Sequence, residues 1–362
     1  MKVGRNLVEL ATELQRRADA KRDINTPVTK LGMEVIDDEP NIVVADKAAM
    51  PLTTIAHDQL ATYLDIPRDY YKRMQANDPK LLSDNVNRWM REHHEERRLV
   101  RALDGKVRAF LSDRYRCIEN EDIADAVLPI LMDMDLLICS CEVTERRLYI
   151  KAIDKRVALD VPTGRLMGDG SHVFFDTVSP AISVMNSEVG FGRFSIESGV
   201  FTKICTNLAM IGAHMKRRHV GSRSDYGDEV YEMLSDETKR KTDEVLFAQV
   251  RDVVRGAFDE AKFKALTTKL GEASKDKLPA TVVEEVVERV GRKNAVSEGH
   301  RKSILARLIE GADLTRYGLH AAITRAAQDA DDYDTASDLE RLGGEIIELP
   351  RNEWATLIKV AA

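Results

Sequence analysis

Between residues 5 and 23 apolar side chains return every three or four positions, with Leu7, Leu10, Ala11 and Leu14 on one face, and this period predicts a helix. The period then breaks. "LGMEVID" and "NIVVAD" read as short strands around the turn "DDEPN". From Thr53 to about His94 the helical pattern returns, and Pro67 and Pro79 each suit the first turn of a helix. "RRLVRALDGKVRAFLSDRYRC" predicts the clearest hairpin. Alternating residues flank Asp104-Gly105, a pair that accepts the positive φ of a two-residue turn, with strands at about 97–103 and 106–112. "ENEDIADAVLPILMDM" follows as a helix whose acidic first turn suits the positive end of its dipole. Strands are expected at "LLICSCEV", "RRLYIKAI", "RVALDVP", "PAISVMNSEV" and "GRFSIES", with a bulged hairpin turn at "GFGRF" between the last two. "GVFTKICTNLAMIGA" is expected to lead from strand into helix. From about Asp228 the chain reads helical almost to its end, through "PATVVEEVVERVG" and helices near 298–310 and 317–330.

Helices, then a mostly antiparallel sheet with one packed helix, then more helices: this order predicts an α+β fold. The expected divisions are an N-terminal helical region with short strands at 1–95, an antiparallel sheet core with a basic rim at 96–227, and a C-terminal helical region at 228–362. No fixed repeat period is present. The sequence holds no apolar run of the roughly 18 residues that a membrane span needs. Its charged N-terminus lacks the apolar centre of a signal peptide, so the cytoplasm is the expected location, with no membrane contact.

Charge changes the picture. The formal net charge is −7, yet "HMKRRHVGSRSDYGDE" gathers Lys216, Arg217, Arg218 and Arg223 around His214 and His219. The predicted hairpin is basic too, through Arg97, Arg98, Arg101, Lys106, Arg108, Arg114 and Arg116, and Tyr115 stands among these cations. Lysines and arginines neutralise phosphates, and a neighbouring aromatic can stack a base. The candidate nucleic-acid contacts are these hairpin residues with Tyr115, together with Lys203, Lys216, Arg217, Arg218, His219 and Arg223. Alternation splits the hairpin cations between two faces, so they cannot all form one patch. The bland reading is a solvated polar rim. For the second cluster it is a cation cap on the preceding helix, which one side chain would satisfy.

The search for catalysis returns little. No phosphate-binding glycine loop, dinucleotide fingerprint or nucleophile elbow occurs, and no nucleotide, metal or other cofactor is expected. Cys139 and Cys141 share one strand face without zinc spacing, and the four cysteines are expected to be free thiols. "DDYDTASDLE" lacks the sixth-position glycine of a calcium loop and reads as a solvated helix start. Val245, Leu246, Val250, Val253, Val254 and Phe258 form an apolar stripe, read either as packing on its own domain or as a self-association surface.

Three stretches carry a resemblance: "RALDGKVRAFLSDRYRCIENEDI", "VFTKICTNLAMIGAHMKRRHVG" and "LHAAITRAAQDADDYDTASDLERLGG". Together they resemble the phage- and plasmid-borne proteins of domain of unknown function family 932, over about residues 50–345. That resemblance implies a bacteriophage or mobile-element origin and work in DNA metabolism inside a bacterial host. The order of "RYRCIENEDIADAVLPIL", a β-meander and "FTKICTNLAMI" is also similar to the ring-forming single-strand annealing proteins of the Rad-fifty-two type. This implies single-stranded DNA as partner, a homo-oligomer in the form of a ring, and no nucleotide cofactor. The insertion "DKRVALDVPTGRLMGDGSHVFF" and the long helical C-terminal half depart from that pattern.

Three functions stay open on these residues. The first is single-stranded DNA binding and annealing in recombination. The second is duplex-DNA regulation through "TTIAHDQLATYLDIPRDYYKRM" at 53–74, which looks like a helix-turn-helix with Asp65 in place of the turn glycine. The third is a counter-defence protein that binds a host or phage protein and no nucleic acid. An enzyme of unseen mechanism has no recognised site to support it.

Overall fold

The structure, a computed structural model, describes residues 2–45, 48–166, 173–203, 206–217 and 236–361. Its strands are antiparallel within three sheets, and helices dominate after the last strand, so the α+β expectation holds.

The N-terminal unit is built on two small sheets. One is β2 (Leu31–Ile36), β3 (Glu39–Val44) and β4 (Met50–Pro51); the other is β1 (Arg22–Pro27), β5 (Arg97–Leu103) and β6 (Lys106–Ser112). The helices α2 (Thr54–Tyr63), α3 (Arg68–Asn77) and α4 (Pro79–Glu92) close over them around Met33, Ile42, Leu60, Leu82, Val86, Val100 and Val107. Asp104 and Gly105 adopt φ of 53° and 76° and form the expected two-residue turn. The hairpin's third strand is β1, which the sequence pattern did not reveal. The basic hairpin therefore belongs to a different sheet from Lys203 and Lys216, and the two clusters do not flank one sheet.

The central sheet has the order β12-β11-β10-β8-β7, with β9 paired to the first half of β10. Its strands are β7 (Leu137–Val143), β8 (Leu148–Ile153), β9 (Leu159–Leu166), β10 (Val173–Asn186), β11 (Phe194–Thr202) and β12 (Asn207–Arg217). One face carries Leu148, Ile150, Ile182, Val184, Phe194 and Ile196. It packs against α1 (Leu7–Ala20), α5 (Asn120–Asp133) and α6 (Asp236–Ala257). The apolar stripe of α6 is spent here: Leu246, Val250 and Val254 are buried in this core and only Val245 is largely exposed. Packing on its own domain is the correct reading of that stripe.

The segment "NLAMIGAHMK" corrects the sequence reading. It forms β12, paired with β11 from Asn207↔Thr202 to Arg217↔Phe194, and it is not a helix. No helix dipole ends at Lys216, so the capping explanation of the basic cluster falls. Arg218, His219 and Arg223 lie outside the described residues.

The C-terminal helices are α7 (Glu260–Ala273), α8 (Val283–Lys293), α9 (Glu298–Gly311), α10 (Arg316–Ala326), α11 (Tyr333–Glu348) and α12 (Arg351–Ala361). They share a core of Val286, Ile304, Leu319, Ile323, Leu342 and Trp354. A second cluster of Val161, Val178 and Val200 with Phe263, Leu270, Tyr317 and Ile347 binds them to the sheet. The stretch "DDYDTASDLE" does start a helix, with Asp332 capping Thr335 N at 2.8 Å. It is not solvated, because Asp334, Ser337 and Glu340 are buried against the second face of the sheet. Lys151 Nζ donates to Glu340 Oε2 at 2.6 Å and to Ser337 Oγ at 2.9 Å, and Tyr149 donates to Asp334 at 2.7 Å. None of the described helices is long and apolar enough to cross a membrane.

Candidate nucleic-acid interface

Two connections of the central sheet open at the same end, because β7–β8 and β10–β11 are both antiparallel neighbours whose turns follow β7 and β10. The first is the turn 144–147. Thr144 Oγ1 accepts the backbone N–H groups of Arg146 and Arg147, each at 3.0 Å, which ties the turn tightly. The second is the loop 187–193. Phe191 N donates to Ser187 Oγ at 2.9 Å, and Gly190 and Gly192 supply φ of 72° and 149°. Strand β12 also finishes here, with Lys216 opposite Ser195 and Arg217 opposite Phe194.

These segments assemble a cationic rim around one aromatic ring. Phe191 is 38% exposed. The Arg146 guanidinium sits 4.7 Å from its ring centroid and that of Arg147 5.4 Å away. Such separations allow cation–π attraction and leave the ring partly open to solvent at the protein's edge. Arg147 is fixed beneath by Asp338 at 2.8 Å and Tyr149 Oη at 3.2 Å, so Arg146 is the more accessible cation. Arg193 and Lys216 are exposed on the same rim. The chain leaving β6 passes alongside: Tyr115 donates to Ser187 O at 3.0 Å and accepts from Gly190 N at 3.1 Å, with Arg114 exposed beside it.

The residues singled out from sequence divide. Arg101 is fully buried, bonded to Asp23 at 3.0 Å, Glu119 at 2.7 Å and the Glu188 carbonyl at 2.9 Å, with Cys117 against it. Arg108 is buried and bonded to Glu188 at 2.8 Å. Both are corrections: their charge is committed inside the molecule and reaches no solvent-borne phosphate in this conformation. Arg98 lies 3.6 Å over the Tyr63 ring, Arg116 pairs with Asp243, and Tyr115 is half-buried by the bonds above. Arg97 is exposed but leans on Asn25 at 2.9 Å. Lys106, Arg114 and Lys216 are exposed, and Lys203 is exposed at the far end of β11 from Lys216. The side chain of Arg217 is outside the described set, and only its backbone place on β12 is fixed.

Four rim residues escaped the sequence reading: Arg146, Arg147, Phe191 and Arg193. Their signal was present in "TERRLYI" and "GFGRF", two arginine-bearing turns, but nothing local says that β8 and β10 are neighbours.

The helix pair at 53–74 exists as α2 and α3, with Asp65 at φ 54° between them. Tyr71 is not available to DNA. It is buried and shares a 2.8 Å hydrogen bond with His57 Nδ1, while Tyr70, Lys72 and Arg73 are exposed. Helix α2 is wedged in place by Gln59, which accepts from Phe110 N at 2.8 Å and donates to Val189 O at 2.7 Å.

Burial pushes the Cys139 thiol up to about 12 and the Cys141 thiol up to about 11, and it raises the Cys117 thiol further, so all three stay protonated near neutrality. Among the described residues no group of histidine, cysteine and carboxylate side chains is placed to hold a metal ion. No family model, curated protein or solved structure matches the chain.

Proposed function

We propose that the protein binds single-stranded DNA across the loop end of its central sheet and promotes annealing in phage or mobile-element DNA metabolism, in the host cytoplasm and without a nucleotide cofactor. The observation that carries this reading is Phe191, exposed among Arg146, Arg147, Arg193 and Lys216 on two adjoining connections and the end of β12. A base offers a π-face to an aromatic ring or a guanidinium plane, and the surrounding cations meet its phosphates. A duplex hides those faces, which favours the single strand. The basic run 216–223 continues from this rim in sequence, and it supplies further phosphate contacts. Assembly as a homo-oligomer belongs to the proposal. Its support is the hairpin β9–β10, where Leu159, Leu166, Val173, Phe174 and Phe175 are all exposed.

The test is fluorescence anisotropy with labelled single- and double-stranded oligonucleotides at two salt concentrations. Wild type should prefer the single strand. Phe191→Ala should lose roughly 1–3 kcal/mol of affinity, the range for one stacked base. The triple variant R146Q/R193Q/K216Q should bind more weakly, with a salt slope shallower by roughly 0.7 per lost phosphate contact. Both variants binding like wild type at every salt concentration would refute the site. Duplex preference abolished by Lys72→Gln and Arg73→Gln would move the function to α3. Light scattering that shows a monomer at micromolar concentration would remove the oligomer.

A further inference from the structure

A second polar site lies at the opposite end of the sheet, where β9, the start of β10, the start of β12 and the helices α9 and α10 meet. It is a small cavity of about 50 Å³ whose walls include Arg165, Asp176, Arg307, Tyr317 and Arg325. That is room for more than one water, and far below the ~300 Å³ at which pockets begin to take drug-sized ligands.

The hydrogen-bond accounting in this cavity is uneven. Asp176 is 4% exposed. Its Oδ2 accepts from Tyr317 Oη at 2.7 Å. Its Oδ1 is buried and receives no hydrogen bond among the described residues, where Arg165 Nη2 stands 3.6 Å away. A buried carboxylate oxygen without a donor calls for an explanation. The other wall groups are satisfied. Asp313 accepts from Thr315 Oγ1 at 2.6 Å and Gly164 N at 2.9 Å, Asn207 is engaged by Gln328 at 2.6 Å, and Arg307 is spread over Asp329 and Glu310. Two guanidiniums keep donors to spare among the described residues: Arg325 is exposed and makes no ion pair there, and Arg165 lies 5.0 Å from the Phe174 ring with only the long contact to Asp176. The cavity therefore presents one unfilled acceptor facing two underused cationic donors.

We infer that this cavity binds a small protonated oxyanion, with inorganic hydrogen phosphate as the ligand class. Its P–O–H donates to Asp176 Oδ1, and its remaining oxygens accept from Arg165 and Arg325. The proton decides the selectivity. Sulfate near neutral pH is fully ionised and would set a lone pair against the Asp176 lone pair. A phosphate monoester loses its second proton near pH 6 and meets the same obstacle at pH 7.5. Inorganic phosphate keeps one proton throughout this range.

Isothermal titration calorimetry of the whole protein at pH 7.5 tests this with three probes: inorganic phosphate, sulfate and glycerol phosphate. Phosphate should bind, and the other two should bind at least about tenfold more weakly, as expected for an acceptor facing an acceptor. Asp176→Asn should narrow or reverse the preference. The Asn oxygen keeps the Tyr317 bond, and its amide turns a donor toward the anion. Because that buried change could unfold the chain, Arg325→Ala on the surface is the second variant, with phosphate affinity expected to fall about tenfold or more. Equal binding of phosphate and sulfate, no binding of either, or unchanged affinity in Arg325→Ala would each overturn the inference and leave a water-filled cavity.

Discussion

His57 and His320 are neutral in the folded protein. Burial holds each at about 4, against an ordinary value of 6.5. For His320 the Gly343 carbonyl at 2.8 Å and the Asp176 charge oppose burial without winning. A histidine with a lowered folded value binds its proton more readily when unfolded. Stability is therefore full above about pH 6.5 and declines as pH falls toward 4. By pH 5 the linkage relation gives a loss of about 2 kcal/mol for each histidine. Carboxylates held low by ion pairs act in a lower window: Glu13, held at about 2 chiefly by its bond from Arg16, weakens the fold only as pH drops below about 4.5. Urea unfolding at pH 7, 6 and 5 should show the decline, and His57→Gln should remove about half of it. A midpoint independent of pH over this range would sink the assignment. At this scale the sequence was least legible. Alternation showed only that the hairpin cations divide between two faces. It could not show that Glu188, 80 residues beyond Arg108, lies against that cation and neutralises it. A shorter but still non-local separation in sequence hid Phe191 from Arg146.

Elements with local causes were legible. Asp104-Gly105 needed only its own backbone to predict a turn, and Asp78, Ser297 and Asp332 cap the helices that follow them. Strand β12 shows the limit. Leucine, alanine and methionine in "NLAMIGA" are good helix formers, yet pairing with β11 outweighs that preference. Gly212, at φ 84°, marks the irregular ladder. Helix α11 then crosses β12 so closely that a Cβ on Gly344 would stand 1.7 Å from the Met210 carbonyl oxygen. Alanine ordinarily gains up to about 1 kcal/mol over glycine inside a helix. Here the helix must lift off the strand, and overpacking of this kind costs about 1–3 kcal/mol. Gly344→Ala should therefore lower the urea midpoint. Gly299→Ala in α9 is the control, since its Cβ would meet nothing within 4 Å, and it should be neutral or mildly stabilising. If both substitutions raise stability, the close crossing of α11 over β12 is wrong.

At the scale of the whole molecule, the sheet joins unlike partners on its two faces. The face toward α1, α5 and α6 is apolar. The face toward α11 is partly polar, and its centre is the Lys151–Glu340 pair, each side chain about 1% exposed. Alternation in β8 makes both faces possible, but a lone lysine in "LYIKAI" gives no hint that its partner lies 189 residues on. Two charges taken from water gain little net stability even when well paired, whereas one left alone is severely penalised. Lys151 has Ser337 and the Tyr333 ring, 4.5 Å away, as further partners, while Glu340 Oε1 has no hydrogen bond among the described residues. The pair is thus better suited to fixing where α11 sits than to strengthening its attachment. Lys151→Met alone, or Glu340→Leu alone, should lower unfolding free energy by about 3–5 kcal/mol, because each strands the other charge. The double variant should recover most of that loss and can match wild type. Chemical denaturation of all four proteins closes the cycle. Losses that simply add in the double variant would mean that the two charges do not depend on each other, and the seam between sheet and C-terminal helices would have to be held by its apolar contacts alone.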